Sequence, residues 1–391
     1  MPFYVQQGNI PAKRHIQHRD HNGNLYYEEL VSRQGFSDIY SNVYHIHPPT
    51  RVQRMGAFEP IELIPTADKT HRHHHVETFK LSVGGDWISA RTPLFFNSDV
   101  VLGTASPTKN GSYIYRNGHA DEMIYIQRGA GHLISLYGKM SFREGDYIVI
   151  PKGIPYQLNF TSETGNQFFW VESAGPIETP ERYRNQHGQH LEHSPFMERD
   201  FRTPELKAPV DETGEFEIKV KLVNGYQTIF QANHPFDLIG WDGYYYPWIL
   251  NIHDFMPIVG KIHQPPPVHQ TFQAPGFVVC SFVPRLFDWH ELSIPAPYAH
   301  SNVDSDEIIY YSRGNFMSRS GIGEGSITLH PAGLPHGPQP GKYEASIGKQ
   351  ETNELAVMVD TFKPLQLTEF AMQIDDANYP LSWIQDKQND H

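Results

Sequence analysis

Short runs of β-branched and aromatic residues recur along the chain, and each run ends at Gly, Pro or Asp. The first half contains EMIYIQRG, GHLISLYG and DYIVIPKG, and the second half contains FVVCSFVP, EIIYYSRG and GSITLHPAG. Runs of this length between turn residues predict β-strands, whereas long amphipathic helical patterns are scarce. The pattern therefore predicts an all-β sandwich or barrel with only short helices.

Two stretches of the chain repeat each other. YRNGHADEMIYIQRG aligns with HSNVDSDEIIYYSRG, and GDYIVIPKGIPY aligns with GSITLHPAGLPH further along. A repeat of this kind indicates two copies of one β unit. A polar, Pro-punctuated stretch separates them, so we predict three parts: a first β unit at 1–177, a connecting segment at 178–216 and a second β unit at 217–391.

The second copy carries candidate metal ligands that the first copy lacks. Tyr115 aligns with His300, and Tyr156 aligns with His336, while Glu307 follows His300 on the next predicted strand. Two imidazoles and one carboxylate form the ligand set of non-haem Fe(II) oxygenases, which leaves coordination positions open for substrate and O₂. We therefore predict one metal site per chain, formed by His300, Glu307 and His336, and a structural role for the first copy.

Composition and charge exclude several classes of protein. The 44 acidic residues outnumber the 31 basic residues by 13, which argues against nucleic-acid or membrane-surface binding. No apolar run approaches the roughly 18 residues that a transmembrane helix needs, and the N-terminus lacks the apolar core of a signal peptide. The single cysteine, Cys280, excludes an internal disulfide framework and a cysteine-based metal cage. We expect a cytoplasmic protein.

The sequence motifs resemble those of the cupin superfamily. EIIYYSRG matches the E-x6-G part of the first cupin motif, and GSITLHPAGLPH matches G-x5-P-x-G-x2-H of the second. Within that superfamily the chain is similar to the homogentisate 1,2-dioxygenase family, most specifically in GWDGYYYPW, PYAHSN, TLHPAGLPHGP and LAVMVDTFKPLQLTEFA. The resemblance implies two cupin barrels of the jelly-roll type, with the N-terminal barrel degenerate.

The resemblance also implies an activity. Members of the family are bicupin enzymes that convert homogentisate and O₂ to maleylacetoacetate in tyrosine and phenylalanine breakdown. Their C-terminal half holds Fe(II) by His, Glu and His, which here would be His300, Glu307 and His336. The implied partners are a small aromatic acid and O₂, and the implied assembly is a homo-oligomer, a trimer or a hexamer.

Further site residues follow from the resemblance. The family's acid/base histidine falls on His263 in GKIHQPPPVHQTF, with His269 as the alternative. His330 in the LHP turn would face the substrate, together with the ligand His336. Arg313 would sit beside the ligand strand and neutralise the substrate carboxylate.

The chain departs from the family pattern at two places. One extra residue separates His300 from Glu307, so Asp306 stands at the usual spacing. We prefer Glu307 because its distance to Gly314 is preserved and adjacent strand residues face opposite sides. A proline-rich turn also replaces a longer segment before PGFVVCSF. The substrate could therefore be another hydroquinone-type acid such as gentisate, and a metal-binding cupin without oxygenase activity stays the alternative from a different class.

Two further groups of histidines lie close together in the sequence, as metal ligands often do. His71, His73, His74 and His75 form a histidine tract without a carboxylate at ligand spacing, and His45-x-His47 lacks the glutamate of a cupin motif. We expect both groups to be structural.

Overall fold

A computed structural model describes residues 3–81 and 84–384, and most of its regular elements are strands. In chain order, the strands of the first half are β1 (Val5–Gly8), β2 (Tyr27–Ser32), β3 (Tyr40–His45), β4 (Val52–Pro60), β5 (His74–Val76), β6 (Arg91–Phe96), β7 (Val100–Ala105), β8 (Ile114–Asn117), β9 (Asp121–Arg128), β10 (Gly131–Ser135), β11 (Gly138–Phe142), β12 (Asp146–Ile150), β13 (Pro155–Phe160) and β14 (Gln167–Ser173). The later strands are β15 (Phe201–Arg202), β16 (Thr213–Leu222), β17 (Gly225–Asn233), β18 (Leu238–Gly243), β19 (Trp248–Asn251), β20 (Gln270–Ala274), β21 (Phe277–Phe282), β22 (Arg285–Leu286), β23 (Asp306–Arg313), β24 (Ile327–His330), β25 (Glu351–Thr352), β26 (Leu355–Thr361) and β27 (Gln366–Leu367).

Helical structure is short throughout the described part. The α-helices are α1 (Lys342–Ser346) and α2 (Glu369–Gln373). The 3₁₀ helices are Thr78–Lys80, Glu181–Tyr183, Glu198–Asp200, Ile252–Asp254, Pro266–His269 and Tyr379–Trp383. None of the helices within the described ranges has the length and apolar character needed to cross a membrane. The predicted all-β class is confirmed.

The strands build three large sheets. The eight-stranded sheet has the order β15-β19-β12-β9-β14-β7-β6-β27, the seven-stranded sheet β11-β10-β13-β8-β16-β17-β4, and the six-stranded sheet β20-β21-β26-β23-β24-β5. Central strands such as β9 are buried along almost their whole length, and the middle of β9 is the continuous apolar run MIYI. Strands β16, β17 and β19 share sheets with first-half strands, and β5 joins the later six-stranded sheet. The division of the chain into units at 1–177 and 217–391 therefore stays a prediction.

The strand pairings follow the repeat in the sequence. Tyr115 on β8 lies opposite Tyr156 on β13, and the corresponding residues of the second copy, His300 and His336, form an isolated antiparallel bridge. Backbone pairing alone therefore brings the two candidate ligand histidines next to each other.

The two copies contact each other through equivalent residues. Arg128 donates to Glu324 at 3.0 Å, and Arg313, its counterpart in the second copy, donates to Glu144 at 3.0 Å. Both arginines are exposed. The expected role of Arg313 beside the substrate is not supported, because its guanidinium points to the other copy and it does not line the cavity described below. Instead, the arginine that precedes the strand-end glycine in each copy forms an ion pair with a glutamate of the other copy.

The core is continuous between the copies. A single hydrophobic cluster includes buried residues from β9 and β12 as well as from β23, β24 and β26. At its centre the Tyr125 hydroxyl and the Ser312 hydroxyl are 2.8 Å apart, and the rings of Tyr125 and Tyr310 meet edge to face at 6.2 Å. Strand β23, which carries the candidate ligand Glu307, therefore packs against the first copy.

Candidate metal centre

Three side chains converge at one end of β23. The ligand atoms of His300, Glu307 and His336 all lie within 4.8 Å of one another. His300 Nε2 lies 3.6 Å from Glu307 Oε2, and His336 Nε2 lies 3.3 Å from Glu307 Oε1. The two histidines exchange backbone hydrogen bonds of 2.8 and 2.9 Å, which hold their rings side by side. The residues predicted as metal ligands are thus brought together.

Backbone carbonyls orient both imidazoles. His300 Nδ1 lies 3.3 Å from the Tyr298 carbonyl oxygen, and His336 Nδ1 lies 3.1 Å from the Leu334 carbonyl oxygen. A carbonyl only accepts, so each Nδ1 carries the proton and each Nε2 presents its lone pair to Glu307. The buried Nε2 of His336 makes no hydrogen bond in the described part of the chain. An unpartnered imidazole lone pair beside a carboxylate suits a metal ion.

His330 supports the glutamate from behind. Its Nδ1 donates to Glu307 Oε1 at 2.7 Å, and its Nε2 accepts from the Tyr379 hydroxyl at 3.1 Å. Burial lowers the pKa of His330 to about 3, so the ring is neutral. It is fully buried and does not line the cavity. The structure thus places His330 against the carboxylate of Glu307 rather than in the wall of the cavity.

The glutamate is held in its ionised form. Burial alone would raise the pKa of Glu307, but the adjacent imidazoles of His300, His330 and His336 hold it well below the usual range. The same contact with Glu307 raises the pKa of His300. An ionised, buried carboxylate ringed by imidazoles is a site of negative potential that a cation stabilises.

Asp306 faces the other side of β23. Its carboxylate accepts backbone hydrogen bonds from Ala332 at 2.8 Å and Leu365 at 2.7 Å. Asp121, its counterpart in the first copy, accepts equivalent bonds from two backbone amides. Asp306 therefore holds the loops at Ala332 and Leu365 against β23. Glu307 is the carboxylate that faces the histidines.

The first copy fills the equivalent position with an arginine. Arg91 donates to Glu122 at 2.5 Å and to Glu172 at 3.3 Å, and the Tyr156 hydroxyl donates to Glu122 at 2.8 Å. Glu122 aligns with Glu307, so a guanidinium supplies the positive charge where the second copy gathers histidines. Arg91 is almost completely buried.

The second copy has two carboxyls and no such arginine. Glu172 lies opposite Glu122 in the sheet, and Asp360 lies opposite Glu307 in the same way. Neither Glu307 nor Asp360 forms an ion pair with a lysine or arginine in the described ranges, and Asp360 Oδ1 is buried without a hydrogen bond. Burial, followed by the charge of Glu307, raises the pKa of Asp360. The two histidines and two carboxyls therefore fit a divalent cation. Such a cation would compensate the negative charge here as Arg91 does in the first copy.

A cavity of about 450 Å³ adjoins the triad, with His300, Glu307 and Asp360 in its wall. Much of the remaining wall is apolar, including Phe282, Phe287, Ile309, Phe316 and Met358. An apolar pocket with a few convergent polar groups is typical of a small-molecule site, and this volume accommodates a single-ring compound.

Both candidate bases line this cavity. His263 is exposed, its Nδ1 lies 3.4 Å from Asp288 Oδ2, and its ring contacts Tyr298 at 5.3 Å. His269 is largely enclosed, with an unpartnered Nδ1 among the described residues, and burial lowers its pKa to about 3. The assignment of the acid/base to His263 stays a prediction.

Sequence reasoning missed several residues of the site. His73, from the tract expected to be structural, lies 3.2 Å from the Pro335 carbonyl oxygen, and its ring is 5.4 Å from that of His330. The pairing of β5 with β24 brings it there from the first half of the chain, a link that no local pattern reveals. Arg319 and Asp360 line the cavity but lie outside the motif spacing.

These observations define an all-β protein of two related units with a candidate metal centre of two histidines and one glutamate. Residues 102–252 match the family described as "Homogentisate 1,2-dioxygenase N-terminal". A protein of Saccharolobus solfataricus described as a "putative dioxygenase" is 43% identical over 386 residues, 98% of this chain and 99% of the relative. The chain belongs to the homogentisate 1,2-dioxygenase family.

More distant proteins are also similar to the chain. A homogentisate 1,2-dioxygenase of Rhodopseudomonas palustris is 26% identical over 404 residues, 93% of this chain and 86% of the relative. A cupin 2 conserved barrel domain protein from Leptotrichia buccalis covers 78% of this chain and 100% of its own at 10% identity and a TM-score of 0.34. That TM-score is too low to add to the description of the fold, which rests on the strand pairings.

Proposed function

We propose that the chain is an Fe(II)-dependent dioxygenase that opens the ring of homogentisate with O₂ to give maleylacetoacetate. Family membership supports dioxygenase chemistry, and the relative of Rhodopseudomonas palustris bears this activity in its name. The reaction belongs to tyrosine and phenylalanine breakdown, which we assign to the cytoplasm. The observation that carries the proposal is that His300 and Glu307 face both His336 and a cavity of single-ring size.

His300, Glu307 and His336 would hold the iron and leave positions open for substrate and O₂. When bound, Fe(II) lowers the pKa of a coordinated ring hydroxyl and mediates electron flow from the ring to O₂. His330 would keep the Glu307 carboxylate in the orientation that a ligand needs, because its Nδ1 donates to Oε1.

His263 would accept the proton of the ring hydroxyl. Asp288 orients its imidazole from 3.4 Å, and the exposed ring can pass the proton on to water. His269 is the weaker candidate because burial lowers its pKa to about 3, so it has little affinity for a proton at neutral pH. The apolar wall would pack against the ring and keep water from the reacting carbons.

The decisive experiment measures O₂ uptake by anaerobically Fe(II)-loaded protein, with product absorbance followed in the same cuvette. One O₂ consumed per homogentisate, with a ring-opened product, would support the proposal. The H336A variant should retain its fold and lose both activity and iron, whereas R313Q should retain all three. A panel with gentisate and hydroquinone separates the substrates. Turnover of gentisate alone would replace homogentisate as the substrate, and no uptake with one iron per chain would favour a non-oxygenase cupin.

A further inference from the structure

A buried arginine lines the cavity beside the metal centre. Arg319 is 6% exposed, and its Nη1 donates at 2.6 Å to the carbonyl oxygen of Gly337, the residue after the ligand His336. Its guanidinium lies over the Trp383 ring at 5.5 Å. These contacts fix the side chain in the cavity wall, one residue from the ligand set.

The charge of Arg319 has no carboxylate partner of its own. No ion pair to Arg319 forms within the described ranges, and its Nε is buried without a hydrogen bond. Glu307 attracts it from a distance, but the oxygens of Glu307 already face three histidines. Buried charges in proteins are normally paired, and leaving one unpaired is costly. An arginine kept in this state beside a cavity is therefore suited to an anion that arrives from outside.

The other cavity arginine is already engaged. Arg285 lies 3.6 Å from Glu354, which also lines the cavity. Its charge is thus largely compensated in the protein itself. Arg313, the arginine expected from the sequence, binds Glu144 outside the cavity. Arg319 is the cavity arginine whose charge is left for a ligand.

We infer that Arg319 binds the carboxylate of the substrate and makes the site selective for anionic aromatic compounds. The inference rests on the proposed function in that it names the group that holds the acid arm of the same substrate. The planar guanidinium can form paired hydrogen bonds with a carboxylate, which a neutral amide of the same shape cannot match. Arg319 is therefore a specificity-determining residue rather than a participant in ring opening.

Binding of unreactive probes to the anaerobic Fe(II)-loaded protein tests this inference. Phenylacetate carries the carboxylate without ring hydroxyls, and phenylacetamide is its neutral counterpart. Calorimetric titration should give the wild type an affinity for phenylacetate about 10- to 100-fold above that for phenylacetamide. R319Q should lose this preference and bind phenylacetamide as before, whereas R319K should keep part of it. R313Q, with matched iron content and melting temperature, should bind like the wild type.

Equal affinities for the two probes in the wild type, no binding of either, or an unchanged preference in R319Q would each overturn the inference. If R319Q does not fold, the fluorescence of Trp383 provides a second readout in the wild type. Phenylacetate should change this emission and phenylacetamide should not, and W383F should abolish the change. The same response to both probes would count against Arg319.

The outcomes also separate this inference from the proposed function. Loss of phenylacetate preference in R319Q without ring cleavage by the wild type would keep the anion site and refute the dioxygenase assignment. Ring cleavage of homogentisate with an unchanged KM in R319Q would keep the activity and refute the role of Arg319.

Discussion

The guanidinium of Arg313 donates to Glu144 at 3.0 Å, across the contact between the two copies of the β unit. Arg128 makes the equivalent bond to Glu324 at the same distance. The two pairs are related by the same alignment that relates His300 and His336 to Tyr115 and Tyr156. An Arg-Gly pair at the end of a strand is therefore a mark of how the copies pack, and its presence in both copies argues against a role in only one active site.

Replacing Arg313 should consequently have little effect on catalysis. Both members of its ion pair are about half exposed, so R313Q should cost less than about 1 kcal/mol of unfolding free energy. Steady-state kinetics with homogentisate should show kcat and KM within about twofold of the wild type, because surface substitutions of this kind are nearly neutral. A KM raised a hundredfold would restore Arg313 to the substrate site.

Replacing Asp306 and Glu307 one at a time should distinguish the roles of the two carboxylates. E307Q should abolish stoichiometric iron binding because it removes the charge that faces His300 and His336. D306N should retain iron but lower the melting temperature, because Asp306 accepts two backbone hydrogen bonds. Metal analysis and calorimetry on the same samples measure both effects. Loss of iron in D306N alone would show that Asp306 is the ligand.

His330 should control metal affinity without touching the metal. H330F removes the donor that orients Glu307, so iron affinity should fall by about 10- to 100-fold. Y379F removes only the hydroxyl that lies behind His330 and should have a smaller effect in the same direction. Chelator competition measures both constants. Unchanged iron affinity combined with a raised KM in H330F would indicate direct substrate contact instead.

A buried histidine outside the site should make stability depend on pH. His45 lies between Asp237 at 2.6 Å and Glu29 at 3.0 Å. Burial alone would lower its pKa, but hydrogen bonds to these carboxylates raise it from 6.5 to about 9. A folded-state pKa above the unfolded value stabilises the protein fully below pH 6.5, and the gain, about 3 kcal/mol, is lost as the pH rises through about 9.

Urea unfolding of the wild type and H45Q between pH 6 and 10 tests this dependence. The difference in unfolding free energy between the two proteins should shrink as the pH rises, because only the wild type loses a bound proton there. A constant difference across this range would mean that His45 is not protonated in the folded protein.

Removing Arg91 should destabilise the first copy. R91Q leaves Glu122 and Glu172 buried, with Lys221 contacting only Glu172, so unfolding free energy should fall by about 3–5 kcal/mol. Urea unfolding at pH 7 measures this loss, and R128Q, which breaks an exposed pair, is the matched control. Similar small losses in both variants would contradict the assignment of Arg91 as the essential counter-charge.

Local spacing predicted the strands and the convergence of His300, Glu307 and His336, because these depend on residues within one short stretch of the chain. The repeat followed from comparing two such stretches. Spacing also favoured Glu307 over Asp306, since the alternation of a strand separates their faces. It could not predict that His73 lies behind His330, because that contact depends on a pairing between strands about 250 residues apart. The same limit applies to Arg313, whose partner belongs to the other copy.

Arg91 gives the first unit a counter-ion that is part of the polypeptide. The first unit therefore has this positive charge whether or not the protein has bound a metal ion. In the described ranges Glu307 and Asp360 have no ion pair with a lysine or arginine, so in the second unit a bound metal ion would have to supply this charge. On the proposed function, loss of iron would therefore remove a positive charge from the second unit alone, while the core that the two units share would preserve the fold.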